Sequence, residues 1–263
     1  GQHAPGDVDG QPQEAVSGRG RPGQILVGVD GCRAGWIAVS RRAGDTRPQV
    51  QVFSRFAELV AEFGTTALIA VDMPIGLPGR IAATGRGPEQ AIRPYLGARR
   101  SSVFSIPARA AVEAETYREA CDLAQLHSDP PKKISKQAFF LFGKILEIDH
   151  LLQADIGLRQ RIIECHPEFS FCRLNNMVPM AAPKKLRGAV NPAGIAERME
   201  LLAAHGIDRE FFAKGPPRGA AMDDLIDASV NLLLAGRYAQ GLTETFPASP
   251  LRDRYGIMVA IHG

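Results

Sequence analysis

The tightest constraint on the fold is the order of the strand-like segments near the start of the chain. ILVGVD (25–30), WIAVSRR (36–42) and VQVF (50–53) follow one another across the short gaps GCRAG and a Gly-Asp stretch near Gly44. Gaps that short join antiparallel neighbours, because a parallel partner needs a crossover of a dozen or more residues. SRFAELVAEFG (54–64) then puts Phe56, Leu59, Val60 and Phe63 on one helical face, with Ser54 as N-cap and Gly64 as stop. ALIAVD (67–72) is a continuous apolar run, the pattern of a strand covered on both faces, as a parallel central strand is.

The middle of the chain reads as helical over 88–97, about 110–125 and about 135–153, an inserted layer at about 80–155. RIIECHPE (161–168) reads as a strand ended by Pro167. Helices are predicted over 191–206, opened by Asn191-Pro192 and closed by Gly206, and over 221–241, with a terminal strand in GIMVAIHG. Three meandering strands, a helix, a strand, helices, a strand and more helices match the ribonuclease H type of α/β fold. A doubly wound sheet would alternate strand and helix from the start. The expected architecture is therefore α/β: three antiparallel strands then parallel strands, with helices on both faces. Residues 25–263 form one domain in this reading. Residues 1–24, rich in Gly, Gln and Pro with Val8 and Val16 as their only large apolar residues, read as a disordered tail.

Composition narrows the function classes. The chain has 263 residues with 31 Lys+Arg against 28 Asp+Glu, a net charge of +3, so any case for a polyanionic partner must come from local clustering. No apolar run approaches the ~18 residues that span a bilayer, and the first residues lack the basic and apolar regions of a secretory signal. A cytoplasmic protein with no membrane partner is expected. Cys32, Cys121, Cys165 and Cys172 form no C-x-x-C pair and read as reduced thiols.

The carboxylates carry the chemistry. Asp30 ends the first strand and Asp72 ends the apolar fourth. Either alone reads equally well as a turn residue. Together, on adjacent strands, they offer oxygen-only ligation suited to Mg²⁺ or Mn²⁺. The last helix supplies Asp223, Asp224 and Asp227 within an arc of about 100°, either a solvated face or a repelling set that a divalent cation would relieve. Glu164 in RIIECHPE is an outer carboxylate of the same cluster or one half of a salt bridge at a strand end, with His166 as a hydrogen-bond partner.

Positive charge is uneven. Residues 80–109 hold six arginines against the single acid Glu89. Within them, ARRSSVFSIPAR pairs Arg99 and Arg100 with Ser101 and Ser102, a chemistry suited to phosphate. KKISK, with Lys136, and KKLR, with Lys184, are further basic runs that read as solvated surface or as substrate contacts.

VGVDGCRAGW, AVDMPIGLPG, YLGARRSSVFSIPAR, SKQAF with KILEID, ECHPEFSF, KKLRG and DDLIDA together resemble a bacterial and archaeal family, domain of unknown function 429, described as predicted nucleases of the ribonuclease H fold. The likeness spans nearly everything from Ile25 onward. It departs at Gly143, where Pro is expected, and at SIP (105–107), neither of them a carboxylate. The resemblance implies an acidic site of Asp30, Asp72, Asp224 and Asp227. Its pair of acids three apart on the last helix looks like the Holliday-junction resolvase branch.

The leading expectation is a metal-dependent nuclease. Asp30, Asp72, Asp224 and Asp227 would hold two Mg²⁺ or Mn²⁺ ions, and Glu164 would complete the catalytic set. Arg99, Arg100, Ser101, Ser102, Lys136 and Lys184 would hold the nucleic-acid backbone. Two alternatives stand beside it. One is a non-catalytic module that binds nucleic acid or protein. The other is a phosphotransferase of the actin and sugar-kinase type, disfavoured because that class normally carries two copies of the fold.

Overall fold

The computed structural model describes residues 21–263. The predicted tail therefore lies outside the described residues except for 21–24, which turn into the first strand. There Gln24 donates from Nε2 to the Thr66 carbonyl at 3.0 Å.

A five-stranded mixed sheet is built from β1 (Ile25–Cys32), β2 (Gly35–Arg42), β3 (Gln49–Phe53), β4 (Leu68–Val71) and β5 (Ile162–Glu164), in the order β3-β2-β1-β4-β5. The first three pair antiparallel, and β1-β4 and β4-β5 pair parallel. The short gaps join antiparallel neighbours and the fully apolar β4 is a parallel central strand, as the sequence implies. Helix α1 (Phe56–Phe63) lies between β3 and β4. The crossover from β4 to β5 holds α2 (Gly87–Ile92), α3 (Arg109–Val112), α4 (Tyr117–Leu126), α5 (Lys136–Phe139) and α6 (Phe142–Ala154), with 3₁₀ turns between them. After β5 come α7 (Pro167–Leu174), the ribbon β6 (Lys185–Leu186) and β7 (Ala189–Val190), α8 (Pro192–Ala204), α9 (Met222–Ala239), and the ribbon β8 (Thr245–Arg252) and β9 (Met258–His262).

Each face of the sheet carries its own core. Val27, Val29, Ile69 and Val71 face α1, α4 and α6, where Phe56, Leu59, Ala124, Ile145 and Ile148 are buried. Leu26, Ile37, Val39, Ala70 and Ile163 face α7, α8 and α9. Apolar stripes on both sides of one sheet must each be covered, which fixes this three-layer arrangement. Helix α9 lies closest to β1, and Asn231 ties the two together by donating from Nδ2 to the Val29 carbonyl at 2.9 Å.

Several elements differ from the sequence expectation. The helix predicted over 110–125 is two helices, because Thr116 caps a new start by accepting from the Glu119 amide at 3.2 Å. The 135–153 helix is likewise split into α5 and α6. Pro167 does not merely end a strand but opens α7, where a missing N–H costs nothing. The terminal strand exists as β9, but it pairs with β8 in a separate ribbon. β8 carries Pro247 and Pro250, which hide a strand from a sequence reading and fit one whose outer edge is unpaired. No helix among the described residues is long and apolar enough to cross a membrane.

Candidate functional site

Three elements bring three aspartates together. Asp30 lies two residues before the end of β1. Asp72 follows β4, and its amide donates to the Val29 carbonyl at 3.0 Å, so the parallel ladder runs one residue further and sets Asp72 beside Asp30. Strand alternation places both on the face covered by α9. Helix α9 delivers Asp227 to the same point. One carboxylate oxygen from each of Asp30, Asp72 and Asp227 lies within 4.8 Å of the others. Asp30 and Asp227 are buried and Asp72 is partly buried.

Three like charges so close shift one another. Burial, then Asp72, Asp227 and Asp224, push Asp30 well above the ordinary carboxylate range. Asp72 is pushed up to about 7 by burial and by Asp227, and Asp227 up to about 6 by burial, against the pull of Lys184. Asp30 Oδ1 accepts from the Gly31 amide at 2.8 Å. Asp227 Oδ1 is buried with no hydrogen-bond partner. An orphaned buried carboxylate oxygen in a ring of three acids is an acceptor waiting for a cation.

The cation now nearest is Lys184. Its ammonium pairs with Asp227 Oδ2 and lies 3.9 Å from Glu168 Oε1. Burial works against its charge, but Asp227 and Glu168 outweigh it and raise its pKa. Glu168 is itself clamped by Arg198, whose Nη2 reaches both carboxylate oxygens at 2.8 and 2.9 Å. Lys184 is held at this depth by close packing behind it. A β-carbon on Gly194 of α8 would stand 2.0 Å from the Pro183 carbonyl oxygen, so only glycine lets the chain pass. Lys185 pairs with Asp223 at 2.8 Å, outside the three-acid cluster.

The other predicted acids stand apart from the three. Asp224 accepts from the Ala221 amide at 2.8 Å, serving the first turn of α9, while still contributing to the field on Asp30. Glu164 pairs in register with Val71, so it projects to the opposite side of the sheet from Asp72. There it meets Arg86, with Nη2 to Oε1 at 2.6 Å and Nη1 to Oε2 at 3.1 Å, and also accepts from the Ile75 amide at 2.7 Å. The salt-bridge reading of Glu164 therefore describes its contacts, and the acid cluster forms without it.

A cavity of about 370 Å³ opens beside the cluster. Asp30, Asp72 and Asp224 line it, together with Arg86, Glu89, Glu164 and His166. Phe104, Val103, Ile106, Met73 and Leu141 supply apolar wall. Of the predicted phosphate contacts, Ser102 lines it, and its carbonyl meets His166 Nε2 at 3.3 Å. Arg99, Arg100 and Ser101 sit on the adjoining 3₁₀ turn Gly97–Ser102. Lys136 is remote, with its ammonium 6.0 Å over the Tyr117 ring. Arg33, Arg86, Glu89 and Lys144 also line the cavity without having been predicted. Only the i,i+3 spacing of Arg86 and Glu89 hinted at a pairing.

Of the six arginines between 80 and 109, Arg86, Arg93 and Arg109 are consumed internally. Arg109 binds Asp149 and Asp253, and Arg93 binds the Thr84 carbonyl and Ser105. Among the described residues Arg99 and Arg100 make no ion pair, and Arg99 Nε is buried without a partner.

Neither the curated proteins nor the solved structures contain a match to the chain. Residues 28–252, from β1 to the end of β8, match the model of a family described as protein of unknown function, DUF429, and the chain belongs to that family.

Proposed function

We propose that the protein is a metal-dependent nuclease with a ribonuclease H-like core. The observation that carries this reading is the convergence of Asp30, Asp72 and Asp227 from two parallel strands and a crossing helix. An antiparallel trio extended by parallel strands, with helices on both faces, supports the fold assignment. Asp30, Asp72 and Asp227 would hold Mg²⁺ or Mn²⁺, with Asp224 at the rim available to a second ion. The chemistry supplied by such ions, bound there, would be a hydroxide at neutral pH and stabilisation of the leaving oxygen of a phosphodiester. The chain's own part is to fix the acids, to hold the backbone phosphate through Arg99 and Arg100, and to keep Lys184 where it balances charge.

The test is cleavage of labelled single- and double-stranded DNA and RNA with Mn²⁺, by wild type and Asp30→Asn. Divalent-dependent cutting lost in the variant is expected. Because the variant relieves repulsion, its thermal stability without metal should equal or exceed that of wild type. Absence of cleavage on all four substrates, with no Mn²⁺ stabilisation of wild type, overturns the reading. One observation favours a second reading, a binding module without turnover: Lys184 already gives the acids a counter-charge. Under it, the protein binds nucleic acid equally well with and without divalent ions.

A further inference from the structure

The cavity beside the acids has features that a backbone-cutting site does not need. Arg86, in its lining, bonds through all three nitrogens: Nε to Glu89 Oε1 at 2.9 Å, Nη1 to the Ile75 and Gly76 carbonyls at 2.9 and 3.0 Å, and both terminal nitrogens to Glu164. Arg86 therefore fixes the orientation of Glu89 and leaves its second oxygen over. Glu89 is 2% exposed, and its Oε2 is buried with no partner. His166 repeats the arrangement. Its Nε2 meets the Ser102 carbonyl, so Nε2 carries the proton and Nδ1 is a bare acceptor, also buried and unpartnered. Glu89 and His166 both line the cavity, and a buried acceptor without a donor on each is a cost to the fold unless a ligand supplies N–H groups.

The remaining wall fits a flat ring. Phe104 is 40% exposed although it lines the cavity, and Val103, Ile106 and Leu141 continue the apolar surface. A volume of about 370 Å³ is in the range of small-ligand sites and far too small for a duplex. Unpaired bases are read by just this combination of an aromatic platform and hydrogen bonds to the base edge.

We propose that this cavity holds one unpaired nucleobase, and that it selects guanine. Guanine places a ring N–H and an amino group side by side on its Watson–Crick edge, which gives it the donors that Glu89 Oε2 and His166 Nδ1 lack. The inference rests on the nuclease reading above, and it makes the substrate a strand with a base free of its partner.

The experiment is calorimetric titration of the whole protein with guanosine, adenosine, cytidine and uridine in EDTA, so that neither phosphate nor metal contributes. Guanosine should bind about tenfold or more tightly than uridine. Phe104→Ala should weaken guanosine about tenfold, the usual cost of losing a stacking platform. Glu89→Gln should abolish the preference, because Arg86 demands the amide oxygen and turns the amide nitrogen, a donor, toward the ligand. If that variant unfolds, Phe104→Ala and His166→Phe decide alone. A single-stranded tetranucleotide with one guanine should compete with guanosine, and failure to compete assigns the cavity to free nucleosides and nucleotides instead. Equal binding of all four nucleosides, binding of none, or guanosine binding indifferent to Phe104 overturns the proposal. Because no metal is present, these outcomes do not depend on cleavage. A protein that binds guanosine but cuts nothing keeps the base site and loses the nuclease reading.

Discussion

Gly28 of β1 faces the backbone of α9 so closely that a β-carbon there would stand 2.0 Å from the Leu232 amide nitrogen and 2.1 Å from the Ala228 carbonyl oxygen. The contact lies two residues before Asp30 and one residue after Asp227 on the facing helix. The distance between those two acids is therefore set by the absence of a side chain at residue 28. Small-to-large changes in packed cores cost about 1 to 3 kcal/mol, and here the obstacle is backbone, which cannot swing aside. Gly28→Ala should cost about 3 kcal/mol or more in urea unfolding, if it folds at all. A loss under about 1 kcal/mol would show that α9 steps away freely.

How far the sequence discloses the site follows from the same geometry. Asp30 and Asp72 were legible because each ends an apolar run, and the strand order made the runs neighbours. Asp227 was harder to single out from Asp223 and Asp224. Periodicity chooses a face only when a helix has a wet side, and α9 is buried almost continuously from Leu225 to Ala235. The pairs Arg86–Glu164 and Arg198–Glu168 join residues 78 and 30 positions apart. Nothing in local pattern couples such residues, so the basic stretch read as a phosphate surface although half of its arginines are internal. β8 was missed because its prolines argue against a strand.

The raised acid pKa values have a pH signature. Asp72 is at about 7 in the folded protein and near 3.9 when unfolded, so the folded state holds its proton more tightly. Its favourable contribution is fully present below about pH 4 and is lost as pH rises through 7. His166 and His262, lowered to about 4 by burial, work in the opposite direction, so the clean readout is a difference between two proteins. Without divalent ions, Asp72→Asn should gain stability relative to wild type between pH 5 and pH 8, by about 1 to 2 kcal/mol once partial exposure is allowed for. A flat difference across that range would mean that neither burial nor Asp227 raises the Asp72 carboxyl.

Arg80, Arg99 and Arg100 are the members of the basic stretch left for a polyanion, and Arg99 and Arg100 share the turn that adjoins the cavity. Each phosphate contact contributes about 0.9 to the log-log salt slope of binding on duplex DNA and about 0.7 on single strands. Arg99→Ala with Arg100→Ala should therefore flatten the slope on single strands by about 1.4 while leaving the melting temperature nearly unchanged. An unchanged slope makes both arginines part of the scaffold.

The pairing of Lys184 with Asp227 makes a prediction that separates a metal site from a self-neutralised one. The ammonium sits on the carboxylate that a divalent ion would use, and Arg198 behind Glu168 keeps it there. Removing one partner of a largely buried ion pair leaves an uncompensated charge. Lys184→Met should therefore destabilise the metal-free protein by about 2 kcal/mol, with part of the loss cushioned by protonation of the raised acids. Mn²⁺ stabilises the folded state by mass action, and in the variant it has no ammonium to displace. Melting curves across a Mn²⁺ titration should show a larger rise, beginning at lower concentration, for Lys184→Met than for wild type. Should the variant respond less than wild type, the lysine is helping to organise the cation site rather than standing in for its occupant. A complete lack of response in both proteins would leave Lys184 as the cluster's permanent counter-charge and favour the module without turnover.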